Sequence, residues 1–216
     1  MFCNYKPSYL QTFVTFIIVN NPLLRNLGGF FMSKSKFSTK QLVFCAMALA
    51  LATVISVVIK LPSLPNGGSV TLFSMLIICL VGYWYGPVTG LITAVAYGIL
   101  QFITGPYFVH PMQVLLDYPL AFGALGLSGF FSNKKHGLMY GYIAGVAGRF
   151  LFHEISGFIF YTEYVGDAHG NLLAMVASTT YNLSYILPEM IATVILLAIP
   201  PVANALAKVK TMAVAE

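Results

Sequence analysis

Residues 138–161 read LMYGYIAGVAGRFLFHEISGFIFY. The stretch is apolar for longer than the roughly 20 residues that a helix needs to cross a bilayer. It contains Arg149, His153 and Glu154 near its middle. An ionisable group at that depth costs at least about 2.5–3.5 kcal/mol, so each one requires a reason. Arg149, His153, Gly157 and Tyr161 follow one another in steps of four, which places them on a single helical stripe. A membrane span with one polar stripe turned inward accounts for both the length and the pattern. The rest of the chain agrees. Of its 216 residues, 58% are hydrophobic and 8% charged, and the mean hydropathy is +0.84. Soluble domains carry about 25% charged residues, so lipid must cover most of this surface.

Six apolar stretches follow in order, near Gln41–Ile59, Val70–Tyr85, Pro87–Thr104, Pro111–Phe131, Leu138–Tyr161 and Leu172–Leu206. Glycine, proline and polar clusters separate them, including Pro65-Asn66-Gly67-Gly68, Gly86-Pro87 and Gly105-Pro106. The second stretch is short. The last is long, and Pro188 and Pro200-Pro201 are expected to bend it or end parts of it. The fold class is therefore an all-α membrane protein, a six-transmembrane-helix bundle. Lys34, Lys36 and Lys40 precede the first span, Lys134 and Lys135 join the fourth to the fifth, and Lys208 and Lys210 follow the last. With an even number of spans these lysines share one side, so both termini are expected to be cytoplasmic. Lys60 is the dissenter. Residues 1–31 read as an N-terminal extension too short in its apolar part to span; Met32-Ser33-Lys34-Ser35-Lys36 resembles a natural start, and an amphipathic surface segment is the other reading of what precedes it. The expected membrane domain is residues 32–216. The net charge of +5 is too dispersed for nucleic acid and fits basic loops on an anionic membrane face. Cys3, Cys45 and Cys79 lack metal spacing, and no cofactor is implied.

Two further spans carry polar residues at helical spacing. In the fourth, His110, Gln113 and Asp117 share a face, with Tyr118 beside it; in the last, Tyr181, Asn182, Tyr185 and Glu189 recur. Brought together, a carboxylate, a histidine, an amide and several rings would suit a flat, nitrogen-rich, cationic ligand, since aromatic faces attract positive charge. Other assignments compete with this one. Asp117 and Arg149 can neutralise each other as a structural ion pair, and His153 can be a hydrogen-bonded core histidine. Glu154, beside the stripe, suits helix pairing. Glu189 divides between a site role and relief of the backbone freed by Pro188. Trp84 reads as an interfacial anchor. No GxxxxGK[ST] loop, HExxH or GxSxG motif occurs, and no repeat of broken helices suggests a self-sufficient transporter. A binding protein without its own engine implies partners. Ala46, Ala48, Ala50 and Ala52 on the first span offer a small-residue surface for close helix contact.

Four runs, in order and at matching spacing, resemble the thiamine-specific S-components of energy-coupling factor (ECF) transporters. They are Pro65-Asn66-Gly67-Gly68-Ser69-Val70, His110–Tyr118, Arg149–Gly157 and Tyr181-Asn182. The resemblance implies a six-helix substrate-binding subunit of the bacterial plasma membrane, not an enzyme. It also implies thiamine as ligand, and as partners a coupling membrane protein and two ATPase subunits. By the same resemblance Asp117, Tyr118, Arg149, His153, Tyr161 and Asn182 contact the ligand, and Ala46 and Ala50 dock on the coupling protein. His110, Gln113, Tyr181, Tyr185 and Glu189 are secondary ligand candidates from their positions. The chain departs from the family pattern in four places, one being that a tryptophan seen in some members between the first two spans has no match. Asp117 stands where relatives have glutamate, Tyr161 where tryptophan is frequent, and Ala177 where a ligand-contacting tyrosine falls. Two alternatives stay open: an S-component for a pyridoxine-type or hydroxymethylpyrimidine-type ligand, and an intramembrane enzyme using His153 and Glu154 as acid and base.

Overall fold

The computed structural model describes residues 37–60, 64, 68–165 and 171–215, without the side chains of 161–165, 171 and 174. The expected extension 1–31 lies outside these residues. Among the described residues the regular elements are all helical, with one isolated bridge between Lys60 and Thr71.

Helix α1 (Thr39–Val58) opens at Ser38, where Ser38 and Gln41 exchange side-chain bonds to each other's backbone N–H groups at 3.1 and 3.2 Å. Such a reciprocal cap satisfies two otherwise orphaned donors. Cys45, Ala48, Ala52 and Ser56 form the buried face of α1, while Leu42, Met47, Leu51 and Val54 stay exposed. Ala46 and Ala50 lie on the exposed side. An exposed face this apolar fits lipid or another membrane helix rather than water.

Helix α2 (Ser74–Tyr85) is short but central, with Met75, Ile78, Cys79 and Val81 fully buried. Phe73, in the left-handed region at φ 67°, precedes it. Gly86, at φ 86°, turns the chain into α3 (Pro87–Thr104), where Pro87 takes the first helical turn. Helices α2 and α3 pack through glycines: a β-carbon on Gly90 would stand 2.7 Å from the Gly82 Cα. Small residues here let backbones approach closely, the usual device where helices pack inside lipid.

Helix α4 (Pro111–Phe131) changes winding along its length. An α-helical turn, Pro111–Leu115, leads into a π-helical turn, Leu116–Leu120, that contains Pro119. A short α-helical piece and a 3-10 segment, Ala124–Phe131, complete it. Helix α5 (Gly137–Val165) and helix α6 (Asn171–Ala198) are long, and α6 continues through Pro188. The expected last stretch, Leu172–Leu206, is in fact two helices. Ile199 is extended, and Pro200 opens α7 (Pro200–Val214), because proline suits a helix start and breaks an interior. Near its end Lys210 bonds the Ser132 carbonyl and lies 3.8 Å from the Tyr83 ring centre. Burial there pushes its ammonium below the usual lysine range. Lys40 bonds the Ala215 carbonyl at 2.6 Å.

Among the described residues five helices, α1, α3, α4, α5 and α6, are long and apolar enough to cross a membrane, and α2 is a shorter apolar helix.

Candidate functional site

A cavity of about 510 Å³ lies where α1 and α3 end, α4 begins, and α5 and α6 run past. The π-helical turn supplies Asp117 and Tyr118 to its wall, side by side. Neighbouring residues of a regular α-helix diverge by about 100°, and a π turn is a common local adjustment at functional sites. Gly98 of α3 makes the turn possible, since a β-carbon there would collide with the Tyr118 carbonyl. The Tyr118 hydroxyl accepts from the Tyr107 N–H at 2.9 Å and donates to the Gly105 carbonyl at 3.2 Å, holding the connection after α3.

The polar stripe of α5 meets this wall. Asp117 Oδ1 and His153 Nδ1 are 3.0 Å apart, and Arg149 Nε donates to His153 Nε2 at 3.3 Å. An arginine N–H can only donate, so the ring proton of His153 sits on Nδ1 and goes to Asp117. The histidine therefore stands between the aspartate and the arginine, and the direct Asp117–Arg149 pair weighed from sequence does not form. Arg149 instead covers the Phe122 ring, its guanidinium carbon 4.1 Å from the centre, a stabilising cation–π geometry. Asp117 and His153 remain slightly open, at 17% and 11% side-chain exposure.

Helix α6 supplies Asn182, Tyr181 and Tyr185. Asn182 is held on every side. Its Nδ2 donates to Glu154 at 2.8 Å and to Ser178 at 3.2 Å, and its Oδ1 accepts from Tyr185 at 2.7 Å. Glu154 also accepts from Thr179 at 2.7 Å, so it joins α5 to α6 as helix pairing requires. Gly157 lets α6 in: the Ser178 hydroxyl occupies the place where a side chain at 157 would stand. The Tyr181 hydroxyl accepts from the Gly68 N–H at 2.7 Å and so ties the segment before α2 to α6.

Of the residues expected from sequence, Asp117, Tyr118, Arg149, His153, Asn182, Gln113, Tyr181 and Tyr185 all line the cavity. Tyr161 lies outside the described side chains. His110 and Glu189 are not among the lining residues. His110 caps α4, its Nδ1 accepting from the Met112 N–H, and stacks on Phe160 with centroids 5.2 Å apart. Glu189 is buried against the start of α2. It accepts from the Met75 N–H at 3.2 Å, Thr71 at 3.1 Å and Ser74 at 3.4 Å. A carboxylate is favoured there by the orphaned N–H groups and the positive end of the helix dipole. It serves a helix end 114 residues away in sequence, not the backbone freed by Pro188.

Other wall residues escaped the sequence reading. Lys60, out of place in the charge pattern, lines the cavity, as do Ser56 and Gln101. A lone amide in an apolar helix was a readable signal for Gln101. Its amide donates to the Tyr97 hydroxyl, and its carbonyl oxygen lies 3.5 Å from the Ser56 hydroxyl. Serines in membrane helices are too common to have marked Ser56 or Ser178.

A model of the thiamine transporter protein (Thia_YuaJ) family matches residues 42–208. The chain belongs to that family. It is 33% identical over 181 residues to the thiamine transporter ThiT of Bacillus subtilis, covering 77% of this chain and 92% of the relative. A solved structure of ThiT from Listeria monocytogenes superposes with a TM-score of 0.57 at 24% identity, over 74% of this chain and 94% of the other, and shares its fold. The resemblance drawn from the four sequence runs is thus borne out. The thiamine transporter family comprises transporters, not enzymes, and its apolar helices make the chain a multi-pass membrane protein. The matched segment takes in every cavity-lining helix, from most of α1 to α6.

Proposed function

We propose that this chain is the substrate-binding S-component of an ECF-type importer, capturing thiamine from outside the cell in a bacterial plasma membrane. In this reading six helices, α1 to α6, cross the membrane, and both termini are cytoplasmic. The basic residues Lys40, Lys134, Lys135, Lys208 and Lys210 all fall on the cytoplasmic side, and the cavity opens outward with Lys60 at its edge. The partners are a coupling membrane protein, docked against Ala46 and Ala50 on the free face of α1, and two ATPase subunits that drive release inside.

One observation carries the reading. In a chain of the thiamine transporter family, one cavity gathers Asp117, the His153 ring and the aromatic side chains of Tyr118, Phe122, Tyr181 and Tyr185. Thiamine carries a fixed thiazolium charge joined to a flat aminopyrimidine. A carboxylate amid aromatic rings complements that charge, each ring contributing about 0.5–2 kcal/mol. Asp117, Tyr118, Arg149, His153, Tyr161 and Asn182 are the proposed ligand residues. For Asn182, with its donors engaged, the role is to fix the α5–α6 wall as well as to border the ligand.

Titration of the purified chain with thiamine tests the reading directly. Tight saturable binding is expected, and His153→Ala should weaken it about 30-fold or more, on the scale of a charge-assisted hydrogen bond lost from a buried site. A competition panel with pyridoxine-type and hydroxymethylpyrimidine-type molecules should show thiamine displacing both. A competitor that displaces thiamine instead would reassign the ligand. Chemical conversion of the ligand by the isolated chain would contradict a transporter role.

A further inference from the structure

Several polar groups of the cavity wall are already paired within the protein. Both ring nitrogens of His153 are engaged, both Nδ2 hydrogens of Asn182 are given to Glu154 and Ser178, and the Tyr185 hydroxyl is given to Asn182. Ser156 is different. It lies on α5, three residues beyond His153, lines the cavity and is 1% exposed, and its hydroxyl has no hydrogen-bond partner. Serine in a helix commonly returns its hydroxyl to a carbonyl one turn back, as Thr53, Thr104 and Thr180 do in this chain. Ser156 does not. Among the described residues three other buried polar atoms lack partners, on Trp84, Tyr142 and Thr193, and none of these residues lines the cavity. Leaving a buried hydroxyl unpaired is unfavourable, so one on a residue that lines a binding cavity has a reason to be there when the partner arrives with the ligand.

Resting on the thiamine reading above, we propose that Ser156 is a specificity-determining residue whose hydroxyl bonds the nitrogen-bearing edge of the aminopyrimidine ring. The two rings differ in what they offer. The thiazolium ring has no N–H donor and its quaternary nitrogen has no lone pair, so in that half the hydroxyethyl arm is the group that could meet a hydroxyl, and an analogue that keeps the arm separates the two halves. The aminopyrimidine offers both an amine donor and ring-nitrogen acceptors, and a serine hydroxyl matches either. Asp117, whose Oδ1 is taken by His153, keeps Oδ2 for the ligand. The wall thus divides into a carboxylate that answers charge and a hydroxyl that reads a heteroaromatic edge.

The test uses the purified full chain and two ligands. One is thiamine. The other is a thiazolium that keeps the hydroxyethyl arm and carries a benzyl group in place of the aminopyrimidine. Ser156→Ala should bind thiamine about tenfold more weakly and bind the benzyl analogue within about twofold of wild type. Its ligand-free Tm should equal or exceed that of wild type, because no protein hydrogen bond is lost. Ser156→Cys keeps the volume with a weak donor and acceptor, and should show the same ligand-dependent loss. Unchanged thiamine affinity in either variant, or equal weakening of both ligands, would overturn the inference while leaving thiamine binding by wild type intact. Failure of wild type to bind thiamine would remove the reading of the site and this inference with it.

Discussion

Two carboxylates, one on the fourth helix and one on the sixth, show how one chemistry serves two ends. Glu189 is 2% exposed and takes three donors, one from Thr71 and two from the start of α2. Asp117 is partly open, accepts from one histidine and faces a cavity. Glu189 is satisfied by the fold, so its charge is spent on holding the short central helix to α6. Asp117 is held in place by the fold but incompletely satisfied, so its charge remains available. The number of protein partners a buried acid already has separates a structural carboxylate from a receptive one better than depth alone.

That contrast can be broken by substitution. The largest effect is expected from Glu189→Ala, which leaves the Met75 N–H and two hydroxyls without their acceptor. A loss of about 3 kcal/mol of stability should follow, seen as a lowered Tm in detergent, with thiamine affinity of the folded fraction little changed. Asp117→Asn should do the reverse, keeping Tm near wild type while weakening thiamine by about 30-fold, or roughly 2 kcal/mol. If both variants lose stability and affinity in parallel, the two carboxylates are not distinct in kind. Tyr181→Phe removes the acceptor of the Gly68 N–H and should cost about 1 kcal/mol, read as faster ligand dissociation because the segment before α2 is less firmly held. The smallest effect is expected from Lys210→Met on α7. It loses a carbonyl bond and a contact with Tyr83, lowering stability by about 0.5–1 kcal/mol without touching affinity.

The helices were readable because their signals are local. Apolar length, with Gly86-Pro87 and Gly105-Pro106 as breaks, located most boundaries, and a period of four gathered Arg149, His153 and Gly157 on one side of α5. Asp117 and Asn182 stood out as polar residues in apolar surroundings. What stayed hidden depends on partners distant in the chain. That His153 intervenes between Asp117 and Arg149 follows from the relative position of α4 and α5, and no spacing within either helix encodes it. The same holds for Glu189, whose partners near α2 lie 114 to 118 residues away. Ser156 lies in the same α5 run, yet only its lack of a partner in three dimensions separates it from the other serines. The sixth stretch was overextended because its composition stays apolar across Ile199, where backbone geometry, not hydropathy, ends the helix.

The π turn around Pro119 has a consequence for how such a chain can change. Each extra residue in a turn resets the angular phase of everything that follows. Residues of α4 before Leu116 and after Leu120 are thereby set out of step, with the hinge of that offset resting on Gly98. The glycine-packed half against α2 and α3 can keep its seam while the cavity half is altered one side chain at a time. A single span thus presents two surfaces whose phases are set separately, one to the cavity and one to the glycine-packed seam.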